Sequence, residues 1–244
     1  MSSNNNGYEF LARRVEELSF KAAKSGRTFM TAFLSPAEQK AVSRITAGDF
    51  YYFDGGRKDA LRKVLVIGED CKIEQGCVCL YSPLDPRFDA LQHKDVLGAL
   101  MHLGIERECI GDIATSEDAV YIACVPNMAD YIADSLLRIK RQSVQFHQCS
   151  FDDMPVQQYE IKVIHPASMR ADVLVAAIAG CSRSKALELI KVQSVKVNDA
   201  VLENTSPLCN NDIISVRGKG KYRIGECRNV SRKGRLALEI EKFL

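Results

Sequence analysis

The sequence predicts an α+β protein in three parts. A mainly helical N-terminal region covers residues 1–62, a domain mixing strands and helices covers 63–158, and a module of two helices with a small antiparallel sheet and a C-terminal β extension covers 159–244. Three observations carry this reading. Apolar residues recur at helical spacing near the start of the chain: Phe10, Leu11, Val15 and Leu18. Short β-rich runs and helical runs alternate through the middle. A polar, turn-rich stretch over 150–158, with Asp152, Asp153 and Pro155, reads as a linker before the last third.

In the first part, the helical pattern runs from Tyr8 to about Ala23. A second helix starts where Ser35 caps Pro36 and Glu38 stands three residues after the cap. It is expected to reach about Thr46, and Asp54, Gly55 and Gly56 then make a turn. The middle part gives strands at 63–67 and 77–82 and a helix within 89–103 that Gly104 ends. Strands at 110–115 and 119–125 follow, joined by Ser116, Glu117 and Asp118. A helix from Pro126 through Ile139 and a strand over 143–149 complete it. Strand, helix, strand, strand, helix, strand is the order of a ferredoxin-like sheet.

Composition excludes several classes. At 46% hydrophobic and 26% charged residues the chain reads as soluble and globular. No stretch approaches the roughly 18 apolar residues that cross a bilayer. The Asn-rich start, Met1 to Gly7, lacks the apolar core of a signal peptide, so a disordered lead-in and a cytoplasmic location are expected, with no membrane partner. Nine scattered cysteines form no Cys-x-x-Cys pair; Cys77 and Cys79 fall on one sheet face and read as small buried hydrophobes. No metal or cofactor is expected. The net charge of +2 hides an asymmetry: residues 1–164 hold 19 Lys+Arg against 23 Asp+Glu, and residues 165–244 hold 14 against 8. A polyanion contact is therefore expected mainly at the C-terminal end.

That end is the most informative. Arg170, Ala171 and Asp172 open an apolar helix through Ile178, which Gly180 stops. Ser182 caps a second helix that begins Arg183, Ser184, Lys185, Ala186 and runs to about Val192. Strands follow at Val195–Asn198 and Asp212–Val216. Arg217, Gly218, Lys219 and Gly220 turn the chain into a third strand, Lys221–Ile224. Leu174, Ile178, Leu187 and Ile190 are the expected core, and Asp172 is expected to pair with Arg170 or to cap locally.

Over residues 168–224 this ordered set resembles the RNA-binding domain first recognised in the fourth protein of the small ribosomal subunit, the S-four-type domain. Two departures stand out. Gln193 stands where that family usually has Gly, and Asp199 where it often has Gly or Trp. A Gln at positive φ costs about 1 kcal/mol, which the fold should survive. The physics points the same way. Free amides at a capped helix start form an anion site, and Arg183 and Lys185 in that first turn oppose the helix dipole unless an anion sits nearby. The expected RNA-binding set is Arg170, Ser182, Arg183, Ser184, Lys185 and Lys191 on the helices, with Lys196, Arg217, Lys219, Lys221 and Arg223 on the ribbon. Such a surface reads duplex shape more than sequence.

The middle carries its own distinctive run: His93, Lys94, Asp95, Val96, Leu97, Gly98, Ala99, Leu100 and Met101, then Leu103, Gly104, Ile105, Arg107, Glu108, and Ile110, Gly111, Asp112, Ile113. With Phe33, Leu34, Ser35, Pro36, Glu38, Gln39, Gly55, Gly56, Arg62 and Lys63, it is similar to the YlmH family of bacterial proteins over about residues 10–240. The resemblance implies a helical N-terminal part, a ferredoxin-like RNA-binding domain and a C-terminal S-four-type domain, with genes lying near cell-division genes. It also implies a role on the large ribosomal subunit bearing peptidyl-tRNA, in ribosome-associated quality control of stalled chains. Structured RNA, ribosomal or transfer, is then the partner, and the protein a monomer. His93, Lys94 and Arg107 are candidates for a second RNA or ribosome contact.

Catalysis is not expected. His93 and Asp95, two apart on a helix, point away from each other, and nothing completes a triad. The middle sheet offers only Tyr121 between Val120 and Val125, too little for base stacking across its face. Two alternatives stay open. An RNA-modifying enzyme of pseudouridine synthase or methyltransferase type would need a larger catalytic domain or a Gly-rich loop after a strand. A cell-division adaptor that has lost RNA binding would not need the basic ribbon.

Overall fold

The N-terminal periodicity becomes α1 (Ser3–Ser25) in a computed structural model that describes residues 3–43, 51–68, 76–230 and 236–244. The helix therefore begins inside the polar lead that was expected to be disordered. Leu11, Val15, Leu18 and Ala22 form its inward stripe, whereas Phe10, one residue off that period, is 75% exposed. β1 (Phe29–Leu34) leads into α2 (Pro36–Val42). The Glu38 amide donates to Ser35 Oγ at 3.4 Å and the Ser35 amide donates to Glu38 Oε2 at 2.7 Å, the reciprocal cap its spacing predicts. The expected continuation to Thr46 lies outside the described residues. β2 (Tyr51–Asp54) and β3 (Lys63–Ile67) follow.

Here the fold departs from the sequence reading. Besides α1 and α2, the first 62 residues contribute two strands, β1 and β2, that the helical pattern does not announce. β3, expected to open the middle domain, is the central strand of an antiparallel sheet ordered β1-β3-β2. Its unbroken apolar run is covered on both sides. Leu65 and Ile67 pack under α1 and α2; Val64 and Val66, with Phe33, pack on Cys77, Ala123 and Val125 of a second sheet. Nothing local in a five-residue run names its neighbours.

The second sheet uses β4 (Val78–Pro83), then α3 (His93–His102), β5 (Ile110–Thr115), β6 (Ala119–Cys124) and α4 (Ala129–Ser135). A short hairpin of β7 (Arg138–Ile139) and β8 (Gln142–Ser143) precedes β9 (His147–Cys149). The order β5-β6-β4-β9, antiparallel throughout, is the ferredoxin-like topology. Leu80, Val120 and Ile122 face α3 and α4. The helix expected to reach Ile139 stops at Ser135, and the strand expected over 143–149 is only three residues long. Leu136 and Ile139 suit a helical spacing, but Ile139, Val144 and Phe146 are buried as parts of an extended segment.

Ile110 and Asp112 of the distinctive middle run, with Phe33 and Arg62, build a seam between the two sheets. Asp112 accepts the Leu61 amide at 2.6 Å and the Arg62 amide at 3.2 Å. Buried Arg62 donates back to the Ile110 carbonyl at 3.1 Å and the Phe33 carbonyl at 2.9 Å. Gly56, at φ +77°, lies so close to the Phe151 ring that a Cβ would sit 2.2 Å from it. Buried Cys77, Cys79 and Cys124 are thiols; burial first of all pushes Cys124 up to about 12, which suits inert packing rather than chemistry.

Contacts divide the chain into units Met1–Val156 and Gln157–Leu244. The second unit contains β10 (Tyr159–Ile164), α5 (Ala171–Ala179), α6 (Arg183–Lys191), β11 (Val195–Val197), β12 (Ala200–Val201), β13 (Ile213–Val216), β14 (Gly220–Val230) and β15 (Leu236–Phe243). Its antiparallel sheet is ordered β10-β15-β14-β13-β11-β12. α5 and α6 cover one face through Leu174, Val175, Ala186 and Ile190, against Ile214, Val216, Tyr222, Ile224, Leu238 and Ile240. Leu187, expected in this core, is 43% exposed, because Ala186 and Ile190 set the buried stripe and residue 187 is rotated off it. Gly180 caps α5 at φ 63°. Gln193 adopts φ 56°, so the residue replacing the usual glycine keeps the glycine conformation. Asn198 and Asp199, at φ 52° and 70°, make the two-residue turn between β11 and β12.

Candidate nucleic-acid interface

The start of α6 is organised by one carboxylate. Asp172, in the first turn of α5, is fully buried. Its Oδ1 accepts from Arg170 Nε at 3.1 Å, and its Oδ2 accepts from Arg183 Nε. The sequence pairs Asp172 with Arg170 but gives no sign of Arg183, eleven residues away. Burial by itself would raise the Asp172 carboxyl. The bonds from Arg183 and Arg170 outweigh it and hold the group below the usual carboxylate range. A carboxylate thus stands where sequence reasoning placed a phosphate, and it explains cations in a helix first turn without any ligand. Both arginines bind it through Nε, which leaves the terminal amino groups of Arg183 available. Arg170 Nη2 donates to Thr205 Oγ1 at 2.8 Å, and Arg183 keeps 59% of its side chain exposed.

Ser182 Oγ accepts the Lys185 amide at 3.2 Å, leaving the amides of Arg183 and Ser184 without intrahelical acceptors at an exposed helix start. Lys185 pairs with Glu188 at 2.8 Å; both are exposed, and such a pair is weak and easily exchanged for another anion.

The other predicted residues do not join this cluster, so the RNA-binding set expected on the helices and ribbon is divided. Along α6, Lys191 lies about 12 Å from Arg183 at 1.5 Å per residue. The Arg217 amide donates to the Ser194 carbonyl at 2.9 Å, which puts the β13–β14 turn, with Lys219, beyond the C-terminal end of α6. Lys196, Lys221 and Arg223 are on the sheet face opposite the helices, because Val195, Tyr222 and Ile224 point into the core. Lys196, Ser215 and Lys221 form one cross-strand row. Arg223 is committed there: it stacks 4.9 Å from the Tyr159 ring centroid and donates to Glu241 at 2.9 Å and to Tyr159 Oη at 2.9 Å. Lys221 lies 5.1 Å over Phe243. Among the described residues, the side chains of Lys191, Lys196, Arg217 and Lys219 have no hydrogen-bond or ion-pair partner. Sequence reasoning missed Asp172 as the shared anchor, and also the Tyr159–Phe243 pair, whose two residues are more than 80 positions apart.

In the first unit, His93 and Lys94 are exposed at the start of α3. Asp95 accepts the Gln92 amide at 3.0 Å, a local cap, and pairs with Lys140 at 2.6 Å. Arg107 is elsewhere and turned inward: its Nη1 donates to the Ile110 carbonyl at 2.5 Å. Tyr81 of β4 adds to Tyr121, with centroids 5.2 Å apart on the face away from α3 and α4. Among the described residues, no group of three or more His, Cys, Asp or Glu could hold a metal, and no helix is long and apolar enough to cross a membrane.

Comparison with known proteins agrees with this architecture. Residues 82–153, most of the ferredoxin-like sheet, match the family described as "Putative RNA-binding domain in YlmH". The chain is similar in fold to the solved cell division protein ylmH from Streptococcus pneumoniae, with a TM-score of 0.53 and 17% identity over 64% of this chain and 98% of that one. It is 30% identical over 228 residues to ribosome-associated protein quality control protein P2 of Bacillus subtilis (strain 168), covering 88% of each. With that identity along most of both sequences, and the domain match falling on the ferredoxin-like sheet, the chain belongs to the YlmH family.

Proposed function

We propose that this protein binds structured RNA, ribosomal or transfer, and acts as a non-enzymatic cytoplasmic monomer. Its place of action is the ribosome, on the large subunit carrying peptidyl-tRNA, in quality control of stalled nascent chains. The matched RNA-binding domain and the quality-control relative support this reading. The observation that carries it is the arginine pair on Asp172. Both guanidinium groups are held by Nε on a buried carboxylate, and Arg183 presents its outer edge at the helix start that carries the open amides of α6. Fixed forks of this kind suit phosphate oxygens, and little ordering remains to be done on binding. Lys191 at the far end of α6, and Arg217 and Lys219 on the turn beyond it, supply further positive charge.

The test is Arg183→Gln with Lys185→Gln. Charge reversal at residue 183 is avoided because it would set a second carboxylate against buried Asp172, whereas Gln leaves Asp172 held by Arg170. Co-sedimentation with large ribosomal subunits is measured across a salt series. The double variant is expected to bind roughly tenfold more weakly, with the slope of log affinity against log salt shallower by about 1–2. A folded variant that binds like the parent would remove the helix entrance from the RNA contact.

A further inference from the structure

We propose that the β7–β8 hairpin of the first unit is a second, separate grip on the sugar-phosphate backbone of RNA. The idea rests on the RNA-binding reading above but uses none of the C-terminal residues. Three cations stand on the hairpin, Arg138, Lys140 and Arg141, and a fourth, Lys94, at the start of α3 next to the residue that Lys140 binds. Lys140 Nζ lies 2.6 Å from Asp95, the residue after Lys94, and this bond fixes the tip against α3. Asp95 is the carboxylate joined to these cations by an ion pair among the described residues, so positive charge is in surplus. Arg141 has no side-chain partner among the described residues, and Arg138 donates only through Nε, to the Lys140 carbonyl at 3.0 Å.

The hairpin is built to hold these side chains still. Ile139 and Gln142 are each 1% exposed. Gln142 accepts the Asp85 amide and donates to the Asp85 carbonyl, both at 3.0 Å. Exposure therefore alternates, with Ile139 and Gln142 inward and Arg138, Lys140 and Arg141 outward. Lys140 sits at φ 53°, the first turn position, where hairpins favour glycine. A strained lysine kept on a rigid tip points to use of its charge. Beside the tip lies an open groove of about 480 Å³ against α3, where Gly98 leaves empty space. Leu103 and Leu137 line it, an apolar strip for sugars next to cations for phosphates. All of these residues lie within the matched RNA-binding domain, which favours RNA over an acidic protein as the occupant.

The experiment uses the full chain with Arg138→Gln, Lys140→Gly and Arg141→Gln combined, glycine being chosen because it suits the turn. The single Lys140→Gly variant controls for folding by thermal melting. The probe is protein-free large-subunit ribosomal RNA. The triple variant is expected to lose about tenfold in affinity at moderate salt, with the salt slope shallower by about 2. A folded triple variant within twofold of the parent, with the same slope, overturns the proposal. So does weaker co-sedimentation with ribosomes at unchanged affinity for the naked RNA, which would make the occupant a protein. If only the Arg183 and Lys185 variant weakens binding, the hairpin proposal fails and the helix entrance stands; if only the hairpin variant does, the reverse holds. If neither changes the affinity, the RNA-binding reading itself falls with both.

Discussion

Asp172→Asn isolates the device on which the C-terminal contact depends. Asparagine has nearly the same shape but one acceptor oxygen and an amide donor. It can satisfy one guanidinium and must face the other donor to donor. Hydrogen bonds to charged groups contribute about 1.5–3 kcal/mol each. Breaking a fully buried ion pair costs about 3–5 kcal/mol. Here only the carboxylate is buried, whereas Arg170 and Arg183 keep 46% and 59% of their side chains exposed, so a released guanidinium rehydrates. Screening of that kind brings the expected loss down to roughly 2 kcal/mol. For a unit the size of residues 157–244, that lowers the melting midpoint by about 8–16 °C. The pH dependence gives a second handle. The Asp172 pKa is lowered in the folded state by its arginine bonds against the opposing effect of burial. Its contribution is therefore fully present above the unfolded value of about 3.9 and is lost as pH falls through the lower folded value. Thermal melts followed by circular dichroism from pH 3 to 7 should show parent and variant far apart at neutral pH and converging at the acid end. Equal midpoints at pH 7, or a gap that persists unchanged at pH 3, would refute the anchoring role.

Two further outcomes test the backbone arguments. Gln193→Gly should raise the urea midpoint slightly, because the relief of about 1 kcal/mol at φ 56° outweighs the entropy that glycine adds to the unfolded chain; a lower midpoint would mean that Gln193 is not strained. Gly56→Ala should cost more than about 2 kcal/mol, since the new methyl both strains the turn and meets the Phe151 ring. Adding Phe151→Ala should recover part of the loss in a double-mutant cycle, and strictly additive losses would mean that the ring contact is irrelevant.

Both candidate contacts use the same construction. A carboxylate with little or no exposure, Asp172 in one unit and Asp95 in the other, binds a cation from a distant part of the chain and leaves neighbouring positive groups facing outward. A carboxylate near a polyanion site is repulsive taken alone. Its value lies in removing the rotational freedom of long basic side chains before RNA arrives. The paired cations and their unpaired neighbours then have distinct tasks, orientation and charge.

What the sequence determined by itself is what a few neighbouring residues decide. Ser35, Pro36 and Glu38 start α2, Ser182 starts α6 and Gly180 stops α5, because each acts through bonds to backbone within one turn. The βαββαβ order of the middle domain and the two-helix C-terminal module were legible for the same reason, as strings of local periodicities. Tertiary structure decided whatever depends on which segments meet. β3 found its partners β1 and β2 across chain that carries no register information. Arg62 and Asp112 proved to be a seam, and Asp172 acquired Arg183 as well as Arg170. Lys196, Lys221 and Arg223 turned to the sheet face away from the helix entrance, since a strand alternates its side chains and only the packed core says which set faces in. Residues 138–139 read as the end of a helix by spacing, but the burial of Ile139 and Gln142 made 138–143 a hairpin. A local pattern fixes the conformation of a segment, but the face it presents and the charge it meets are set by contacts between residues remote in sequence.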